Sequence, residues 1–137
     1  MKNFSQLRII FYALAMGQFL FAAVVYYVTN TQSEFTDMPI FAILAPVAVL
    51  GAGAMSYFLN QQLQLKELEE KDEDTRFGMF RRRVIARLAI LEGGNLLAVV
   101  GTLITGNLQY LLYFLLGMLI FFLMQPKVEE FEGPAVR

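Results

Sequence analysis

Three polar side chains lie inside stretches of the chain that are otherwise almost wholly apolar. Glu92 and Asn95 are three residues apart, so a helix would place them on one side, and Gln18 lies in an earlier apolar stretch. A carboxylate near the centre of a membrane-spanning helix costs about 2.5–3.5 kcal/mol on insertion scales and often serves ion or proton transfer. Glu92 is therefore a candidate ion carrier, and the alternative is a structural salt bridge to Arg8 or Arg87.

These three side chains are expected to converge between the first and third apolar stretches. Interhelical hydrogen bonds contribute about 0.6–2 kcal/mol each inside a membrane, so an intramembrane polar cluster of Glu92, Asn95 and Gln18 would hold helices together. The same cluster would suit a transport site. Both interpretations require the segments to be spanning helices.

The residue types that most enzymes and metal sites use are missing. The sequence contains no Cys and no His, which excludes thiolate metal sites and disulfides and removes the usual haem and zinc ligands. No pair of carboxylates converges within the apolar stretches. We therefore predict no enzymatic activity, no metal, no cofactor and no nucleic-acid partner.

Four apolar stretches are long enough to position these residues across a bilayer. Hydrophobic residues make up 57% of the 137 residues, above the roughly 45–50% of a soluble domain. A spanning helix needs about 20 mostly apolar residues. We predict an all-α, antiparallel up-down bundle, a single membrane domain over residues 1–137, with spans at about 9–28, 39–59, 84–104 and 108–124.

The positive charges predict the orientation of the four spans. All eleven Lys and Arg residues fall in the first eight residues, in residues 66–87 or in the last eleven residues. Four spans place all of them on one side of the membrane, and positive loops are cytoplasmic. The tight turn Thr105-Gly106-Asn107 would lie on the other side. Both chain ends are therefore predicted to be cytoplasmic.

The segment between the second and third spans, residues 60–83, is predicted to form a charged helical hairpin. The second span is expected to continue as a helix to about Glu70, and Glu67 and Lys71 are spaced for an i,i+4 ion pair. Its arms carry opposite charges and should pair. A cytoplasmic basic patch follows; it would lie at anionic headgroups or bind a cytoplasmic partner. Its members are Arg76, Arg81, Arg82, Arg83 and Arg87.

Small residues predict where helices approach each other closely, either within one chain or between copies. The predicted packing residues are Gly17, Ala48, Gly51, Ala52, Gly53, Gly93, Gly94 and Gly101. The fourth span has only Gly117 among bulky aromatic residues, so it is expected to face lipid.

Two resemblances add to these expectations. Residues 87–95, the turn Thr105-Gly106-Asn107 and Gln125-Pro126-Lys127 resemble a family of uncharacterised small four-helix bacterial inner-membrane proteins, which implies that location but no activity. The order of Gly51, Gly53, a polar loop and Glu92 is similar to the hairpin of the ATP synthase proteolipid. That resemblance implies Glu92 as ion carrier and the two glycines as packing residues.

Two functions remain open from the sequence. The first is a non-catalytic subunit or assembly factor of a membrane complex, in contact with the lipid bilayer and with copies of itself or another membrane protein. The second is a proton- or ion-coupled channel or transporter in which Glu92 is the intramembrane carboxylate.

Overall fold

The computed structural model describes residues 4–31 and 38–132, and this part of the chain is helical. It contains five helices: α1 (Phe4–Thr31), α2 (Phe41–Glu69), α3 (Glu73–Thr105), α4 (Tyr110–Leu123) and α5 (Val128–Glu132). Within those residues no strand is present. The all-α prediction is confirmed, and each predicted apolar stretch contributes to one of the first four helices.

Three helices are long and apolar enough to cross a membrane, namely α1, α2 and α3. α4 has 14 residues, or about 21 Å of helix, which is shorter than the predicted stretch of residues 108–124. α2 and α3, with 29 and 33 residues, measure about 44 and 50 Å and exceed the roughly 30 Å hydrocarbon core of a bilayer. They therefore form a hairpin longer than a membrane crossing requires.

The two connections at either end of α3 follow from local chemistry. α2 ends at Glu69, which confirms the predicted helical extension. Asp72 caps α3, because its carboxylate accepts a hydrogen bond from the Thr75 backbone N–H at 3.0 Å. After Thr105, Gly106 takes the left-handed conformation with φ 68°, which glycine adopts without steric cost. The predicted turn is therefore present.

α3 is the central helix of the bundle. It packs against α2, α4 and α1, whereas α1 and α2 share almost no contacts and so flank α3 on different sides. α4 packs against both α3 and α2. The core thus forms around α3, whose buried residues run along most of its length.

One face of α4 is buried, so the expectation that this helix faces lipid is wrong for that face. Phe121 is fully buried and stacks on Phe11 of α1 with the ring centroids 5.0 Å apart. Phe114 and Met118 are 2% exposed. The aromatic side chains of α4 fill the space beside α1 and α3, while Leu112, Leu119 and Leu123 point outward.

Aromatic contacts show which helix ends lie together. Phe4 at the start of α1 stacks on Phe80 of α3 at 6.0 Å, and Phe131 of α5 lies 5.5 Å from the same ring. At the other end of α3, the ring of Phe41, the first residue of α2, lies 6.5 Å from Tyr110, the first residue of α4. The start of α1, the α2–α3 connection and α5 therefore share one end of the bundle.

Candidate functional site

Two arginines of the predicted basic patch are buried. Arg83 and Arg87 are 1% and 2% exposed, so the expectation that they form part of an exposed patch is wrong. They follow Phe80 by three and seven residues and therefore share the helix face that packs into the core. A buried guanidinium is tolerated only where carboxylates and hydrogen-bond acceptors surround it.

Arg83 binds two residues of α2. Its Nε donates to Glu67 Oε2 at 2.8 Å, and its Nη2 lies 3.4 Å from the second oxygen of the same carboxylate. Its Nη1 donates to Asn60 Oδ1 at 2.9 Å. Glu67 is 2% exposed and is thus used by Arg83 instead of by Lys71, which lies beyond the end of α2. The arms of the hairpin pair as predicted, although through a different partner.

Arg87 connects the hairpin to the C-terminal helix α5. Its Nη1 and Nη2 donate to the two oxygens of Glu130 at 2.6 and 3.0 Å, which is the bidentate geometry of a strong arginine–carboxylate pair. Nη2 also donates to the Met124 carbonyl at 2.8 Å, and Nη1 to Asn60 Oδ1 at 3.0 Å. Asn60 therefore accepts hydrogen bonds from both arginines.

These five side chains form one electrically balanced group, which we call the buried charge cluster: Asn60, Glu67, Arg83, Arg87 and Glu130. Two positive and two negative charges cancel, and Glu130 also lies 3.6 Å from Arg83. Because the charges are held by each other, the cluster fixes α2, α3 and α5 relative to one another. The Arg87 Nε is the one buried nitrogen of the cluster without a hydrogen-bond partner among the described residues.

The other three arginines of the predicted patch differ from these two. The Arg76 guanidinium lies over the Phe131 ring at 4.7 Å, a cation–π contact that also holds α5 against α3. Arg81 and Arg82 are exposed. Only these last two keep the outward position that was predicted for the whole patch.

The structure brings together two of the three residues of the predicted intramembrane polar cluster. Asn95 Nδ2 of α3 donates to Gln18 Oε1 of α1 at 2.9 Å and lies 3.5 Å from the Met118 sulfur of α4. Gln18 Nε2 in turn lies 3.3 Å from the Leu14 carbonyl. Gln18 and Asn95 are 0% and 2% exposed, so this amide pair links α1 to α3 inside the bundle.

Glu92 does not join that pair. It is half-buried, and within residues 4–31 and 38–132 it makes no hydrogen bond and no ion pair. The predicted salt bridges are not formed, because Arg87 is bound to Glu130 and Arg8 lies over the Phe4 ring at 5.6 Å. The carboxylate is therefore left without a partner among the residues that the structure describes.

Five of the eight predicted packing residues contact another helix. An ideal Cβ placed on Gly94 would lie 2.6 Å from Ala52 Cβ and 2.7 Å from the Ala48 carbonyl oxygen, so α2 and α3 approach closely there. One on Gly101 would lie 2.9 Å from the Phe41 ring, and one on Gly53 3.6 Å from Ile120.

The other three packing residues have no such neighbour. An ideal Cβ on Gly17, Gly51 or Gly93 would meet nothing within 4 Å, so these glycines do not pack within the described chain. A further close contact was not anticipated from the sequence: a Cβ on Gly117 would overlap the Asn95 side-chain oxygen. Gly117 thus makes room for the amide pair.

Asn60, Glu130 and the burial of the two arginines were not predicted from the sequence. The sequence does contain a signal for the burial of the two arginines. Arg83 and Arg87 continue the three- and four-residue spacing of Phe80, Val84 and Leu88. Arg81 and Arg82 do not fit that spacing. Glu130 gave no comparable signal, since it lies after Pro126 in a polar segment.

Among the residues that the structure describes, no group of three or more acidic side chains is arranged to hold a metal ion. No family model, curated protein or solved structure matches the chain. The two resemblances noted from the sequence therefore rest only on the residues quoted for them.

Proposed function

We propose that the chain crosses a bilayer four times, as an antiparallel up-down bundle. Large apolar side chains cover its outer surface, among them Ile9, Met16, Leu20 and Tyr27 of α1, each at least 67% exposed. Such a surface is typical of contact with lipid. Although α4 is short, the four residues that follow it before α5, residues 124–127, can extend its path by up to about 13 Å, toward a full crossing.

The proposed orientation places both chain ends and the hairpin in the cytoplasm. Phe4, Phe80 and Phe131 meet at one end of the bundle, and this end carries the exposed Arg81 and Arg82. Positive side chains stay on the cytoplasmic side of bacterial and other membranes.

Labelling of single introduced cysteines tests this orientation, because the chain has no Cys of its own. Gln62→Cys in the hairpin and Asn107→Cys in the α3–α4 turn are both at exposed positions. In intact cells, a membrane-impermeant maleimide is expected to label residue 107 and to reach residue 62 only after permeabilisation. Labelling of both residues without permeabilisation would contradict four crossings with this orientation.

We further propose that the protein is a non-catalytic subunit or assembly factor of a membrane complex. The observation that carries this proposal is the buried charge cluster. It uses charged side chains to fix the hairpin, the end of α4 and α5 as one unit, and it leaves Arg81 and Arg82 exposed on that unit. A fixed surface with outward guanidinium groups suits recognition of carboxylates on a partner.

Mass spectrometry of the complex after gentle detergent extraction tests the subunit proposal. We expect wild-type protein to be recovered with a partner. The Arg81→Glu/Arg82→Glu variant should recover at least tenfold less of that partner, because its new carboxylates repel those of the partner. Lys66→Glu is the matched control, because Lys66 is an exposed cation on α2. Recovery of wild-type protein only as a lone monomer would contradict the proposal.

A second candidate function is proton- or ion-coupled transport. The observation that favours it is Glu92, an acid in a proposed spanning segment that has no partner within residues 4–31 and 38–132. The reconstituted protein would then carry a proton or sodium flux in liposomes, and Glu92→Gln would abolish it. Absence of flux from the wild-type protein would exclude this function.

A further inference from the structure

Glu92 lies deeper in the proposed membrane than its short separation from Arg87 along α3 would indicate. Arg87 is buried and paired, so it does not mark the headgroup level; the nearest exposed cation on α3 is Arg82. Ten residues separate Arg82 from Glu92, which is about 15 Å along a helix. The hydrocarbon core is about 30 Å thick, so the carboxylate lies near its middle.

One side of α3 near Glu92 is not covered by the rest of the chain. Ile85, Ala89 and Gly93 are exposed at four-residue spacing, while α1, α2 and α4 cover the other sides of the helix. Towards the hairpin end, a cavity of about 310 Å³ opens between α1 and α3 and is lined by Gln6, Ile9, Ile10, Arg81 and Ile85. Glu92 follows Ile85 by two helical turns and therefore lies on the same side of α3 as this groove.

The apolar stretches of the sequence offer no free cation at the depth of Glu92. Between Arg8 and Lys66, and again between Arg87 and Lys127, the sequence contains no Lys, Arg or His. From its spans, a second copy packed against the groove would bring only Arg87, and that arginine is bound to Glu130. The two amides at a similar depth, Gln18 and Asn95, are bound to each other.

From this arrangement we infer that the groove between α1 and α3 binds a transmembrane helix of another protein that carries a lysine or arginine at mid-membrane depth. The cation pairs with Glu92, and the open space at Gly93 admits the backbone of the partner helix. Such pairing offsets the cost of leaving an isolated acid inside the membrane. The inference rests on the proposed subunit role, and it identifies the groove as the surface that contacts the partner within the membrane.

The experiment uses the full chain in liposomes with a synthetic 23-residue Leu/Ala transmembrane peptide that carries one central lysine. Association is measured by energy transfer from a dye at Gln62→Cys to a dye on the peptide. The lysine peptide is expected to reach half-saturation at a peptide-to-lipid ratio at least tenfold lower than the same peptide with a central leucine. Glu92→Gln should remove most of that difference.

Two matched variants separate the groove from the rest of the surface. An ideal Cβ at Gly93 meets no atom within 4 Å, so Gly93→Phe starts its side chain in open space on the groove side, and binding should fall at least tenfold. Leu119→Phe alters an exposed position on α4 and should bind as the wild type does.

Equal binding of the lysine and leucine peptides, or unchanged binding by Glu92→Gln, would overturn the inference. Energy transfer between two labelled copies of the chain that Gly93→Phe abolishes would also overturn it, by showing that a second copy occupies the groove. The lysine peptide could fail to bind while mass spectrometry still recovers the hairpin partner and cysteine labelling gives the proposed orientation. In that case only this inference fails, and the proposed subunit role stands. Loss of the hairpin partner as well would remove the subunit role too.

Discussion

The Arg83→Met variant is expected to lose about 3–5 kcal/mol of unfolding free energy, which is the usual cost of removing one partner from a buried ion pair. Glu67 is 2% exposed, and Arg83 is the cation that binds it. Methionine fills much of the space of the arginine chain but leaves the carboxylate buried without a counter-charge. The measurement is unfolding by SDS titration in mixed micelles, followed by circular dichroism.

Arg82→Met is the matched control for this variant. Arg82 is the preceding residue on the same helix and is exposed, so its replacement should change stability by no more than about 0.5 kcal/mol. A double variant, Glu67→Leu/Arg83→Met, removes both charges and should regain most of the lost stability, because an apolar pair can replace a buried ion pair at little cost. Equal stability of the Arg82 and Arg83 variants would show that the cluster does not hold the hairpin.

The helices and their connections were predictable because the information for them is local. Each apolar stretch is long enough to form a helix, and a glycine in the left-handed conformation ends α3 where the sequence Thr105-Gly106-Asn107 indicated a turn. The extension of α2 to Glu69 follows from a run of strong helix formers. None of these features depends on residues distant in the sequence.

The buried charge cluster was not predictable in the same way because its partners are distant in the chain. Glu67 precedes Arg83 by 16 residues, and Glu130 follows Arg87 by 43. Charge runs are usually solvated, so the sequence alone predicts one exposed surface for Arg81, Arg82 and Arg83. Neighbouring helix residues differ by about 100° in direction, however, and this rotation is enough to bury Arg83 while its neighbours stay exposed.

The intramembrane polar residues were predicted in part. Gln18 and Asn95 are 77 residues apart, yet an apolar surrounding offers so few acceptors that their pairing could be anticipated. Glu92 could not be placed, because a separation of three residues leaves it about 60° away from Asn95 around the helix axis. Because of this angle, the Glu92 side chain lies outside the contact with α1 and on the side of the groove.

Gly93 and Gly94 are neighbours that face different sides of α3. We therefore expect opposite effects on stability when each is replaced by alanine. Gly94→Ala is expected to lose about 1–3 kcal/mol of unfolding free energy, the usual cost of overpacking. Its new methyl group would lie 2.6 Å from Ala52 Cβ and 2.7 Å from the Ala48 carbonyl oxygen. Neither atom belongs to a flexible side chain, so α2 and α3 must move apart along their contact.

Gly93→Ala introduces the same methyl group one residue earlier, where no atom lies within 4 Å. Alanine is favoured over glycine in a helix by up to about 1 kcal/mol, so this variant should match or exceed the wild type in the same SDS titration. Ala52→Gly in the Gly94→Ala background removes one of the two close contacts and should restore part of the loss. Equal effects of the two alanine substitutions would mean that α2 does not approach α3 at Gly94, and the α2–α3 contact on which the buried charge cluster depends would then have to differ.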